Sequence, residues 1–255
     1  MARTDFRTPR LYVEAPLAEG AEVKLDREQT NYLINVLRLG EGARVLLFNG
    51  RDGEFGSTLA AASRRGASLV VRSQTRPQET PPDVDYLFAP LKHARLDYMA
   101  QKAIEMGARR LAPLLMRHGQ AARVNIDRLR ANAIEACEQC GVIWTPDVAE
   151  PETLEEALAR RPPDRVLVFC DEEAPQQSPL DALAQTNAAN GVSLLVGPEG
   201  GFHDDERAAI LASPCVLRLC LGPRILRADT AAVAALALIQ ATLGDWPKWR
   251  RSDRF

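Results

Sequence analysis

Apolar positions come in short bursts through the first third of the chain and in longer alternating units after it. Within residues 1–73, Leu11 to Val13, Ala21 to Leu25, Ala43 to Phe48, Glu54 to Ala61 and Ala67 to Val71 read as short strands. Asn49-Gly50 and Asp52-Gly53 supply turn chemistry between two of them. One helix interrupts: Asp26 can cap it, Tyr32, Leu33, Val36 and Leu37 recur at helical spacing, and Gly40 can end it. The pattern predicts a small, mostly β module. Residues 74–83 hold three prolines and almost nothing to bury, the composition of a linker.

From residue 84 to 255 the chain predicts an α/β domain. Val84 to Ala89, Arg110 to Met116, Arg165 to Cys170, Ser193 to Val196 and Cys215 to Leu219 are apolar runs with little polar alternation, as strands covered on both faces require. Helices are expected over His93 to Met106, Ile126 to Gln139, Pro151 to Ala159, Asp204 to Ala212 and Asp229 to Leu243. The last is apolar nearly all round, so it should be buried in the domain or against a partner subunit.

Composition narrows the class. At 46% hydrophobic and 26% charged, the chain is globular rather than fibrous or disordered. Its net charge of -2 neither announces nucleic-acid binding nor excludes it, since a local patch decides that. The basic residues are skewed, 28 Arg to 4 Lys; arginine suits phosphate contacts, but coding bias gives the same skew. Five cysteines, Cys137, Cys140, Cys170, Cys215 and Cys220, make a disulfide scaffold the poorer reading and a reducing compartment the simpler one. Cys137 and Cys140 have the spacing of half a zinc site, but no second pair follows and buried thiols in a helix are expected instead. Met1 to Arg10 is polar and basic, unlike a secretory leader, and Ala231 to Leu243 is too short to span a bilayer, so a soluble cytoplasmic protein is expected.

Three segments can carry chemistry. In Leu194 to Glu206, an apolar strand ends in Gly197-Pro198-Glu199-Gly200-Gly201-Phe202 and opens a helix that Asp204 can cap. Glycines there allow close approach of a ligand to the backbone, or merely a tight turn. The Lys-Ser/Thr pair of a phosphate loop is missing, and Glu199 would discourage a phosphate. In Leu219 to Thr230, a second strand ends in a Gly-Pro turn with Arg224 and Arg227 flanking Ile225-Leu226; they form an anion clamp or pair with local acids such as Asp229. Lys92 and Arg95, with Lys102 beyond, share a helical face near a strand end, either beside a substrate or simply outward. Arg38 either meets phosphate or is the basic residue favoured near a helix C-terminus.

Five stretches in order carry a resemblance along almost the whole chain. They are Asn35 to Leu39 with Gly42, Lys102 to Gly107 before Pro113, Glu135 to Cys140, Gly197 to Phe202, and Leu221 to Arg227 with Asp229 to Ala231. Together they resemble the bacterial 16S ribosomal RNA uridine N3-methyltransferases, of the SPOUT class. The resemblance implies a PUA-like β-barrel over 1–73, a linker at 74–83, and a SPOUT domain over 84–255 with a mostly parallel sheet and a deep trefoil knot. It further implies a homodimer, S-adenosylmethionine as methyl donor, no metal, and 16S rRNA or the small subunit as partner. Leu195, Gly197, Glu199, Gly200, Leu219, Leu221 and Leu226 would then line the donor pocket, some through backbone atoms. Three departures from the family pattern matter: Asp229-Thr230 replaces a Glu-Thr pair, Asn31 and Tyr32 replace a histidine, and Gly141 to Trp144 replaces an arginine contact.

On that reading, uracil N3 is a poor nucleophile until its proton leaves, and it lies on the Watson–Crick edge, so the base must be unpaired or flipped. Arg224 and Arg227 would stabilise the charge developing on the ring. Asp229 is the preferred proton acceptor, with Glu199, His203 and solvent also admissible. Arg10, Arg38 and Arg44 would dock RNA, with Lys92 and Arg95 as further contacts. The competing readings are a non-catalytic RNA-binding or ribosome-assembly protein and a nucleotide-dependent enzyme.

Overall fold

A computed structural model describes residues 5, 7–63, 66–120, 123–175 and 177–248; of Met1 to Arg10, five residues lie outside that set, as does the side chain of His93. The described residues up to Thr80, joined by Cys137–Thr145, form one compact unit; the described residues of Pro81–Ala136 and of 146–248 form another. The division is therefore discontinuous, which an unbroken boundary at 74–83 did not anticipate. Its cause lies in hydrogen bonds within the first unit. Tyr12 donates its backbone N–H to Glu138 (2.9 Å) and Arg76 Nη1 donates to the Gly141 carbonyl (2.8 Å). Ile143 and Trp144 are both buried, so Trp144 packs in the core.

The first unit contains β1 (Arg10–Tyr12), β2 (Glu22–Lys24), α1 (Arg27–Asn31), β3 (Arg44–Phe48), β4 (Glu54–Ser63) and β5 (Gly66–Arg76). β5 runs three residues past the expected linker start. Strand order is β1-β3-β4-β5-β2, with only β1 and β3 parallel. All five strands contribute to one apolar cluster that includes Leu11, Val23, Val45, Leu47, Leu59, Leu69 and Val71, so the sheet curls round it. Register shifts between β4 and β5 are the local irregularities that permit such bending.

Asp26 does cap α1, reciprocally with Gln29. The helix then widens: Tyr32–Val36 is a π-helical turn, closed by Leu37 N–H donating to the Tyr32 carbonyl at 2.9 Å. Arg38, not Gly40, makes the reversal, with φ of 56° in the left-handed region that ordinary side chains avoid.

The second unit is a parallel sheet clad by helices. In chain order it contains β6 (Val84–Phe88), α2 (His93–Glu105), β7 (Arg110–Leu115), α3 (Ile126–Cys140, whose end joins the first unit), β8 (Asp147–Val148), β9 (Glu152–Thr153) and α4 (Leu154–Arg160). β10 (Val166–Cys170), α5 (Pro179–Ala184), β11 (Val192–Val196), α6 (Asp204–Ala212), β12 (Val216–Leu219) and α7 (Ala228–Thr242) complete it. The order is β12-β10-β11-β6-β7-β8, all parallel, with β9 also beside β7. Leu87, Leu167, Phe169 and Leu195 face α4 and α6, packing with Leu154, Ala157 and Ile210. On the opposite face Tyr86 donates its hydroxyl to Met99 of α2 at 3.0 Å, and α7 packs on α2, α5 and β11. α5 and the short β8 and β9 were not legible as apolar runs. Among the described residues no helix is long and apolar enough to cross a membrane.

Asp171, just past β10, is buried and takes both nitrogens of Arg207 from α6 (2.6 and 2.9 Å) and Nε of Arg218 from β12 (2.6 Å). Burial pulls its carboxyl upward, but the hydrogen bonds from Arg207 and Arg218 outweigh that and hold it below the ordinary 3.8. A depressed folded value means that the stabilisation is complete above 3.8 and disappears as pH falls through the folded value. Asp171→Asn should therefore lower stability by about 2 kcal/mol at neutral pH, less than for a fully buried pair because both guanidiniums are partly exposed. Urea titrations should show the gap between variant and wild type narrowing as the solution is acidified below 3.8.

Candidate active site

Three parallel strands end side by side. Phe169 of β10 is level with Leu195 of β11 on one flank and Arg218 of β12 on the other, and Cys170 is level with Leu219. The turns after β11 and β12 thus leave the same sheet edge, about 10 Å apart at two strand spacings. The carboxyl edge of such a sheet is where open α/β folds bind ligands.

The turn after β11 is shaped by an aromatic ring. A Cβ on Gly197 would come within 2.3 Å of the Phe202 ring, which folds back to pack edge-on against Phe169 at a centroid distance of 5.0 Å. Gly197 is therefore explained by Phe202. Gly201, with φ of 75°, completes the reversal. α6 is then capped by His203 rather than the expected Asp204: its Nδ1 accepts the Asp205 N–H at 3.3 Å, while Glu206 accepts the His203 N–H at 2.9 Å. An imidazole nitrogen occupied in this way is not a free proton acceptor.

The expected pocket residues divide into two groups. Leu195 and Leu219 are core, so only their backbone can reach a ligand, and the Leu219 carbonyl already accepts from Asp171 N–H at 3.1 Å. Gly200 and Glu199 lie on the exposed rim, while Gly197, Leu221 and Leu226 are half-buried. Arg224 and Arg227 are exposed beside Ile225, which is 92% exposed. Arg227 also contributes to the low pKa of Glu199, behind hydrogen bonds from Arg95 and Gln120.

Arg95 corrects the sequence reading. Expected on an RNA-facing helix, it is drawn inward, where Nε donates to Asp229 at 2.9 Å and Nη1 donates to Glu199. Glu199 also accepts from Gln120 Nε2 at 2.6 Å, and Asp229 from the Thr230 N–H at 2.8 Å. Hydrogen bonds from Arg95 are the leading cause that holds both carboxyls below their ordinary range. Such carboxylates are poor proton acceptors near neutrality, which removes the preference for Asp229 as base. Asp229 also lies one residue inside α7, which starts at Ala228. Lys92 stays exposed ahead of α2.

Sequence reasoning missed the loop after β7. Gln120 reaches Glu199, His118 Nδ1 lies 3.2 Å from the Gly201 carbonyl, and Arg117 pairs with Asp205 at 3.0 Å. The available signal was a polar Arg117-His118-Gly119-Gln120 run following a strand. Among the described residues, no three His, Cys, Asp or Glu side chains gather as a metal site requires.

In the first unit Arg38 and Arg44 are exposed. Arg10 is not: it is 5% exposed, with Nε donating to the buried Glu54 at 2.7 Å. A guanidinium held there is committed to the fold and cannot dock RNA, which corrects its assignment.

Gly197→Ala should cost roughly 1–3 kcal/mol, because the new methyl must displace the Phe202 ring. Chemical denaturation measures this; a wild-type midpoint would mean that the ring moves aside freely.

Residues 78–240 match a family model described as an RNA methyltransferase domain, and residues 25–72 match an RNA methyltransferase PUA domain. The ribosomal RNA small subunit methyltransferase E of Rickettsia conorii is 28% identical over 232 residues, covering 91% of this chain and 94% of its own. The crystal structure of the Neisseria gonorrhoeae enzyme of the same name, bound to S-adenosyl methionine, superposes with a TM-score of 0.84 at 26% identity, covering 94% of this chain and 100% of its own. A Legionella pneumophila protein solved with bound SAM gives 0.81 at 27% identity, covering 94% and 99%. With the first model alone matching well over half of its length, the chain belongs to the RNA methyltransferase family.

Proposed function

We propose that this protein transfers a methyl group from S-adenosylmethionine to N3 of a uridine in 16S rRNA of the small ribosomal subunit, in the cytoplasm. The observation that carries the reading is the common edge at which β10, β11 and β12 end, with two glycine-containing turns leaving it. Similarity to small-subunit rRNA methyltransferases and to structures bound to the donor supports it. The residues present also suit the donor: Gly200 is exposed on the rim, and Arg95 Nη2 is shielded from water without an acceptor among the described residues. Leu195, Gly197, Gly200, Leu219, Leu221 and Leu226 would hold it, the two core leucines through their backbone. When bound, the donor supplies a methyl group already activated by a sulfonium.

The chain's own work is orientation and charge. The exposed Arg224 and Arg227 neutralise negative charge gathering on the uracil oxygens as the N3 proton departs. That lowers the demand for a strong base, and the proton passes to solvent. Asp229 and Glu199 stay ionised and serve the architecture. The β unit docks RNA through Arg38 and Arg44, and the α/β unit carries the chemistry. A homodimer and the trefoil knot belong to the proposal through the SPOUT resemblance; sedimentation tests the former.

Labelled donor with 30S subunits or free 16S rRNA, followed by nucleoside mass spectrometry, should yield N3-methyluridine. Absence of any methylated nucleoside from both substrates would leave a non-catalytic RNA-binding protein. Arg224→Ala with Arg227→Ala should slow single-turnover transfer by about 10²-fold or more, as loss of charge-stabilising donors does elsewhere. Arg38→Glu should weaken rRNA binding and flatten its logarithmic salt dependence by about one, leaving donor affinity intact. An unchanged slope would move the RNA surface elsewhere.

A further inference from the structure

One guanidinium joins the two turns on which the proposed donor pocket depends. Arg95 stands on the first turn of α2, Glu199 at the tip of the turn after β11, and Asp229 at the start of α7. The two acids come from segments thirty residues apart and both converge on Arg95. Without a cation between them, two like charges would push the turns apart. A planar fork bonds two acceptors in separate directions at once, which a lysine ammonium does with far less geometric definition. Gln120 occupies the other oxygen of Glu199, so the carboxylate is held from both sides. The third nitrogen, Nη2, is shielded from solvent and meets no acceptor among the described residues. Arg95 thus bonds two carboxylates and still has the N–H groups of Nη2 over, which fit an acceptor brought by a ligand.

We propose that Arg95 is the positioning residue of the donor pocket: it clamps the turn after β11 to the start of α7 through Glu199 and Asp229, and keeps Nη2 for an acceptor on the bound donor. It is thereby not an RNA-phosphate contact. This rests on the function proposed above, since it presumes that the donor binds at these turns. It goes further by naming the interaction that sets their spacing before the donor arrives.

Calorimetry with S-adenosylmethionine on the full-length chain, alongside 16S rRNA binding across a salt series, tests it. Arg95→Ala should weaken donor binding about tenfold or more, and Arg95→Lys by less, while rRNA affinity and its salt slope stay as in wild type. Glu199→Gln with Asp229→Asn should also weaken donor binding, and adding Arg95→Ala to that pair should weaken it by much less than tenfold further. Such non-additivity is what a clamp produces and a general loss of stability does not. If Arg95→Ala fails to fold, the lysine variant carries the same comparison. Wild-type donor affinity in the Arg95 variants, or a weakened rRNA affinity with a shallower salt slope, would overturn the clamp alone. A wild-type protein that binds no donor would overturn the functional reading and the clamp with it.

Discussion

The register of three parallel strands is the constraint from which the site follows. Because β10 lies between β11 and β12 and is in step with both, the chain must leave the sheet at one edge three times, at Cys170, Val196 and Leu219. A one-residue slip in either pairing would exchange the faces of that strand, turning Leu195 away from the cluster that it shares with Leu167 and Phe169. Burial on both faces thus fixes the register, and the register fixes where the turns emerge. Asp171 ties β10 to β12 and α6 at that edge through Arg218 and Arg207. The rim is consequently held by charge pairs that reach between elements, while the core beneath it is apolar.

The sequence made the sheet readable because its strands are buried on both faces and so stand out as apolar runs between turn residues. The Gly197 to Phe202 turn was readable for a similar reason, though the glycine most suggestive of a ligand serves the Phe202 ring. Arg10, Arg95 and Asp171 share one failing. Each is a charged residue whose partner is distant in sequence, 44 residues for Arg10 and Glu54 and 134 for Arg95 and Asp229, so local reading sees only a polar position. The His203 cap was concealed differently. Glu206, three residues on, is a legitimate capping-box signal, but histidine is not among the residues favoured at the N-cap, whereas Asp204 beside it is.

The first unit shows how local rules fail when a helix is not regular. Tyr32, Leu33, Val36 and Leu37 have helical spacing and follow directly on α1, yet the π turn that they enter shifts the residues round the axis. Val36 then faces solvent at 60% exposure while Leu33 is fully buried. Arg38, forced into the left-handed region, projects from a strained reversal, and strain of this kind persists only where the surrounding structure imposes it. No periodicity in the sequence marks that turn. It depends on the barrel core that Leu33 enters and on the Leu33 carbonyl, which accepts the Leu39 N–H at 2.9 Å.

The electrostatics of the α/β unit bear on which groups can handle a proton. A base tuned for neutral pH needs a carboxylate pushed up by burial or by a neighbouring negative charge. Here the two acids nearest the turns are pulled the other way by Arg95, and the nearby imidazole of His203 is engaged at a helix terminus. An arrangement of that kind favours stabilising the anion over capturing the proton. Transfer to a base with a locally acidic N–H can proceed this way when cationic groups meet the charge as it forms, because lowering the pKa of that N–H makes water an adequate sink for the proton. Arg224 and Arg227 are exposed cations at that edge, whereas Arg95 is paired with two carboxylates. On the function proposed above, chemistry and framework are divided among the arginines by their partners: those bound to acids hold the site in shape, and those left in solvent meet the substrate.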